Sequence, residues 1–224
     1  MRPAAFRTAV LRPLNFLVRN AHALIRTPRR RAALRQFERI SLAPGDVAID
    51  CGANVGDVTA RLAKRGARVY AFEPGPDAFA VLQRRFAGNK RVICRPLAVS
   101  DHSGPTRLYL HRRHRPGELG HSTAASLIPT KHNVDPDCSV AVEQMDLAAF
   151  ILALEARVRI LKLDIEGGEA TVLNHLIDSG AIQQIDYVFC ETHEYKIPGL
   201  AGRCRRLRRR LDREGITHVN LNWY

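Results

Sequence analysis

The chain has 224 residues, 46% of them apolar, which is room for one full α/β domain with a sizeable core and little besides. Its net charge is +13, but residues 1–45 hold ten Arg against one Glu and residues 203–214 hold seven Arg against two acids, so two terminal segments carry the whole surplus. The near-neutral stretch between them argues against a nucleic acid lying across the active site, and the lack of any run of about 20 apolar residues argues against a membrane-spanning helix.

Residues 1–42 read as a basic amphipathic helical extension with a break at Pro13. Leu14, Leu17, Val18, Ala21, Leu24 and Ile25 recur at helical spacing, while Arg12, Arg19 and Arg26 share another face. Such a helix is expected to cover the core of its own chain. Peripheral contact of residues 1–40 with the inner membrane surface is the alternative. Thr27 to Arg31 then form a hinge.

Residues 43–224 read as the main domain. Val47 to Cys51 is an apolar run suited to a buried parallel strand, interrupted by Asp50. Gly52, Ala53, Asn54, Val55 and Gly56 make a turn, and a helical pattern follows from Asp57. Strand, glycine turn and helix form the entry to a nucleotide-type site, where Gly52 lets the backbone approach a ligand closely. Val69 to Phe72 is the next strand; it ends in Glu73 and is stopped by Pro74. A carboxylate roughly 20 residues beyond the glycine turn is placed to accept both hydroxyls of an adenosine ribose. The spacing is G-x-x-x-G, not the G-x-G-x-x-G of most NAD sites, and an acid precedes it. Both features favour S-adenosylmethionine over a dinucleotide.

Pro76 and Asp77 open the following helix, and Val92 to Val99 is the third strand, with Ser100 and Asp101 at its end. Residues 104–144 break the rhythm: strands at Thr106–Leu110 and Ser139–Val142 flank a long polar loop, suited to a lid or an acceptor-binding segment. Its irregularly spaced His111, His114, His121 and His132 read as solvated. The fourth strand carries LKLDIEGGE, ends in Asp164 and leads into a helix from Gly167. Asp186 to Glu191 is the fifth, followed by Thr192, His193 and Glu194. An arginine-rich helix covers residues 200–214, and Thr217 to Tyr224 is a last strand. The sheet then lacks a seventh strand, or the strands of residues 104–144 replace it. There are five cysteines and no C-x-x-C, and Cys51, Cys94 and Cys190, inside predicted strands, read as small core residues in a reducing cytosol, so a cytoplasmic protein is expected.

DCGANVG with AFEP, then LKLDIEGGE, then FCETHE resemble the FkbM-type S-adenosylmethionine-dependent methyltransferases, over about residues 46–195. The resemblance implies a Rossmann-like class I methyltransferase sandwich, a mostly parallel α/β sheet with helices on both faces. It implies O-methylation of a hydroxyl on a small molecule, sugar or glycolipid. It puts Asp50, Gly52, Ala53, Asn54 and Gly56 around the methionine part of the cofactor, Glu73 and Pro74 at the ribose, and Ala98 to Asp101, with Ser100, near the adenine. Asp164 falls beside the transferred methyl, and Glu191 and His193 fall across the pocket.

Methyl transfer is an in-line displacement that needs alignment, exclusion of water and an acceptor stripped of its proton. Asp50 and Asp164 would surround the sulfonium. His193 is the expected base, with Asp164 as the alternative, and Glu166 and Glu191 would orient the acceptor or the base. A competing reading has Glu166 or Glu169 merely capping the next helix. No metal is expected, although Asp164, Glu166, Glu191 and His193 are oxygen and nitrogen ligands suited to a divalent ion. Two other functions stand beside this one: a non-catalytic protein binding anionic membrane or nucleic acid through its basic ends, and an RNA methyltransferase. The intact Asp50, Gly52, Glu73 and Asp164 oppose the first, and the absence of an N-P-P-[YF] tetrapeptide and of a basic rim opposes the second. The sequence sets no oligomeric state.

Overall fold

The computed structural model describes residues 28–223. The expected amphipathic face at Leu14 to Ile25, and its membrane contact, lie outside the described residues.

Six strands form one sheet: β1 (Val47–Cys51), β2 (Arg68–Phe72), β3 (Val92–Arg95), β7 (Val158–Leu163), β8 (Ile185–Cys190) and β9 (Val219–Asn220). Their order is β3-β2-β1-β7-β8-β9 and every pairing is parallel. This is the doubly wound arrangement in which the chain reverses direction across the sheet between β1 and β7. Both faces of the sheet are covered, and the strands are apolar almost throughout. Ile49, Cys51, Leu161 and Val188 face a core closed by α4 (Leu147–Leu152), α5 (Glu169–Asp178) and α6 (Leu200–Arg213). Ala48, Val69, Ile160 and Phe189 face the other side, closed by α1 (Pro28–Arg39) and α2 (Asp57–Lys64). The helix α3 (Pro76–Arg85) adds Leu82 against Ala53 and Ala71.

The expected hinge at Thr27 to Arg31 is overturned from Pro28 onward, because Pro28 opens α1. Proline suits that place: its fixed φ matches the helix and its missing N–H would go unpaired in a first turn anyway. Ala33 and Phe37, four residues apart, are buried. The Phe37 ring lies 5.3 Å from Phe189 and 4.8 Å from Trp223. Ala33, Phe37 and Ile40 thus pack this segment onto the core of the domain.

The single third strand expected over Val92 to Val99 is two strands in two sheets. Pro96, with no N–H to give a ladder, separates β3 from β4 (Leu97–Ser100). β4 runs parallel to β6 (Val134–Asp146), which pairs antiparallel with β5 (Gly104–His111). This separate three-stranded sheet does not replace a seventh strand of the main one, and among the described residues the main sheet ends at β9. The polar loop narrows to residues 112–133. Among the described residues no helix is long and apolar enough to cross a membrane.

Candidate active site

The carboxyl ends of β1, β2, β7 and β8 meet below one cavity of about 720 Å³. Gly52, Ala53, Asn54, Glu73, Pro74, Asp164, Glu166 and Glu191 line it, Leu97, Ala98, Val99 and Leu108 of the second sheet form an apolar wall, and Leu127 comes from the polar loop. A cavity of this size, apolar with a few convergent polar groups, suits a cofactor-sized ligand.

The turn after β1 is held by its neighbours. Gly52 N–H and Ala53 N–H both donate to the Phe72 carbonyl, at 3.0 and 2.9 Å. Gly52 has φ +73°, and a β-carbon there would fall 1.8 Å from the Asp164 carbonyl oxygen. The close approach that demands glycine is therefore to the tip of β7. Asn54, in the left-handed region at φ 49°, aims its N–H at Glu73 Oε2, 2.8 Å away. Gly75 N–H donates to the other oxygen at 2.8 Å. Burial pushes the Glu73 carboxyl up to about 7, against those two amide donors and the charge of Lys162. The polar loop reaches this point too, since the Asn54 side chain donates to Ser122 Oγ at 2.9 Å.

Three expected cofactor contacts are not where the sequence put them. Asp50 does not line the cavity. It shares the strand parity of Ala48, so it points into the face covered by α2, fully buried, and accepts from Thr59 Oγ1 at 2.6 Å. Gly56 also lies off the cavity: with φ +86° it enters α2, and a β-carbon would fall 2.5 Å from the Phe86 ring. Ser100 lies beyond the wall made by Leu97 to Val99, and its hydroxyl donates to Asp101.

A residue the sequence reading passed over ties the strand tips together. Lys162 is 3% exposed, and its ammonium donates to the carbonyls of Gly52, at 2.7 Å, and Cys51, at 3.1 Å. It lies 3.3 Å from Asp50 and 3.5 Å from Asp164. Burial opposes its charge, but the two acids outweigh that and raise its pKa. The signal was in the sequence: a lysine inside an otherwise apolar strand must be paired.

Beyond β7, Glu166 at φ 60° and Gly167 at φ 127° turn the chain into α5. Glu169 is the capping acid: its Oε1 accepts from Ile165 N–H at 3.0 Å and Gly167 N–H at 3.1 Å. The same oxygen meets His193 Nδ1 at 2.8 Å. Glu166 instead faces Lys131, at 2.6 Å, and Lys196, at 3.3 Å. Burial would raise its pKa, but His193 and the two lysines pull it down to about 2. Asp164 has its pKa raised, chiefly by burial. Glu191 is pushed up to about 7, by burial and by the Asp164 charge.

His193 is 1% exposed, with Nε2 at 3.4 Å from Glu166, 3.6 Å from Asp164 and 3.8 Å from Glu191. Burial would lower its pKa, yet Glu166 and Glu169 hold it up at about 10. A second proton on the imidazole of the ligand-free protein works against the expected role of His193 as general base, and a group that displaces that proton frees the Nε2 lone pair. The loop histidines gather no ligand set: His111 stacks on His121 with ring centroids 4.2 Å apart.

A parallel sheet of this order, with an acid past each of two adjacent strands and a cavity above them, defines the class: doubly wound α/β proteins whose ligands bind beyond the carboxyl ends of the strands. Comparison with known proteins narrows it. Residues 50–215 match the family described as Methyltransferase FkbM domain. The 31-O-demethyl-FK506 methyltransferase FkbM of Streptomyces tacrolimicus is 31% identical in an alignment 179 positions long that covers 69% of this chain and 68% of that one. The chain belongs to the FkbM methyltransferase family. Among solved structures it is similar to a methyltransferase FkbM from Methylobacillus flagellatus KT, at 16% identity and a TM-score of 0.37, over 61% of this chain and 30% of that one. A precorrin 8W decarboxylase from Methanobacterium thermoautotrophicum is similar at 16% identity and a TM-score of 0.34, over 66% of this chain and 56% of that one.

Proposed function

We propose that the protein is an S-adenosylmethionine-dependent O-methyltransferase acting on a hydroxyl of a small molecule, sugar or glycolipid. The observation that carries this reading is the Glu73 carboxylate at the cavity, fixed from both sides by Asn54 N–H and Gly75 N–H. Its remaining lone pairs suit the two ribose hydroxyls. Gly52, Ala53 and Asn54 supply backbone with little side-chain bulk, Asp164 supplies negative charge for the cationic end, and Ala98 and Val99 supply an apolar wall for the adenine. When bound, the cofactor supplies an electrophilic methyl group on sulfur.

The chain's own residues then have three tasks. Lys162 holds the tips of β1 and β7 in one register and keeps Asp164 oriented. The second sheet and the polar loop enclose the cavity, and Ser126 Oγ docks that loop by donating to the Glu166 carbonyl at 2.8 Å. Asp164 and Glu191, from adjacent strands, face the cavity as the oxygens that take the acceptor's hydroxyl proton. The relative named as a 31-O-demethyl-FK506 methyltransferase supports a hydroxyl acceptor, and Tyr195 and Lys196 at the cavity edge suit a polar one.

Incubation with methyl-labelled cofactor and a panel of nucleotide sugars, glycolipids and macrolides tests this. Label should appear in an ether that resists mild base. Transfer only to nitrogen or carbon, or to no member of the panel, contradicts the proposal.

A further inference from the structure

We propose that Asp164, Glu191 and His193 form a site for one divalent first-row transition-metal ion, of the Mn2+ or Zn2+ kind, on the acceptor side of the cavity. One ligand atom from each lies within 4.8 Å of the others. Nε2 of His193 is 3.6 Å from Asp164 Oδ1 and 3.8 Å from Glu191 Oε1. An ion holding such ligands at about 2.1 Å sets neighbouring ones roughly 3.0–3.5 Å apart, so a small closure of two carboxylates completes the set.

An acidic cluster alone would mean little. The independent observation is His193 itself: 1% exposed, with an Nε2 that has no hydrogen-bond partner and is aimed at the carboxylates. Its ring is fixed from behind, because Nδ1 meets Glu169 Oε1 at 2.8 Å and that oxygen is held by Ile165 and Gly167 N–H. A carboxylate holding one ring nitrogen while the other points at acids is the arrangement that orients a metal-ligating histidine. Glu166, engaged by Lys131 and Lys196, closes the set on the protein side. Imidazole with carboxylates suits transition ions better than Mg2+ or Ca2+, which prefer oxygen alone. Asp164 and Glu191 both line the cavity, so an ion between them keeps positions open to an acceptor oxygen. There it would act as a Lewis acid on the hydroxyl, easing loss of its proton to the oxygen of Asp164 or Glu191 that does not hold the ion. That role rests on the methyl-transfer reading; the binding itself does not.

The full chain, stripped with chelator and dialysed, is titrated with Mn2+ alone, without cofactor or acceptor, by calorimetry and by electron paramagnetic resonance of free Mn2+. One ion per chain should bind. Glu191→Gln, on the cavity wall, and His193→Gln should each weaken binding at least tenfold with circular dichroism unchanged, and Glu194→Gln should bind like wild type. If His193→Gln does not fold, Glu191→Gln decides. No binding of Mn2+ or Zn2+ at millimolar concentration overturns the site. So does binding that Glu191→Gln leaves intact, or tighter binding of Mg2+ than of Mn2+. None of these results bears on whether the adenosyl cofactor binds.

Discussion

At the scale of single residues, the site is made by what each side chain is denied. Gly52 is glycine because the Asp164 carbonyl occupies the place of its β-carbon, with φ +73° adding strain for any other residue. Gly52→Ala should therefore cost about 3 kcal/mol or more. Gly88, at φ +82° with nothing within 4 Å of a β-carbon, is the control, and Gly88→Ala should cost only about 1 kcal/mol. Chemical denaturation of the two variants checks the contrast, and equal losses would show that crowding at Asp164 is not what selects glycine. Much at this scale was legible. Glu73, Asp164 and Glu191 follow the strands that the apolar runs marked, and all three line the cavity. Asp50 went wrong for a reason also in the sequence: one residue before the strand's end it has the parity of Ala48, which points into a buried face. The charge state of His193 was not legible, because it depends on Glu166 and Glu169, which only the fold of the β7–α5 turn brings beside it.

At the scale of elements, the cavity depends on a loop held shut by one buried ion pair. Lys131 has no exposed side-chain surface and lies 2.6 Å from Glu166 Oε2, and Ser126 and Ser122 of the same loop reach Glu166 and Asn54. Removing Lys131 takes from Glu166 its nearest cation, leaves it Lys196 and His193, and empties a buried volume. Lys131→Ala should cost about 2–4 kcal/mol and open residues 112–133 to protease. Melting and limited proteolysis measure both, and unchanged cleavage would mean that other contacts fasten the loop. The long loop itself was visible from composition. The three-stranded sheet beneath it was not, because β4 pairs with a strand more than 30 residues away. Such register is set by packing, not by local pattern.

At the scale of the molecule, the two arginine-rich segments behave differently from the neutral centre. α6 buries Cys204, Leu207 and Leu211 and turns its arginines outward, while α1 closes the opposite face through Phe37. Apolar spacing marked the strands and most of the covering helices, and the resemblance to the FkbM-type methyltransferases implied the architecture that joins them. The docking of α1 on Trp223 could not be read in advance, since it depends on a distant partner. The break at Pro96 could have been, because a proline inside an apolar run gives no N–H to a ladder.

The central claim is that the strand tips hold an adenosyl cofactor through an ionised Glu73. Calorimetric titration with S-adenosylhomocysteine at pH 8 and at pH 6 tests it most directly. Burial raises Glu73 to about 7, so the ligand-free protein takes up a proton there as pH falls through neutrality. If the ionised form binds, affinity should drop about tenfold between the two pH values. Glu73→Ala should bind at least tenfold more weakly at pH 8 and lose most of that pH dependence. No binding by the wild type, or a folded Glu73→Ala that binds equally well at both pH values, would contradict the account.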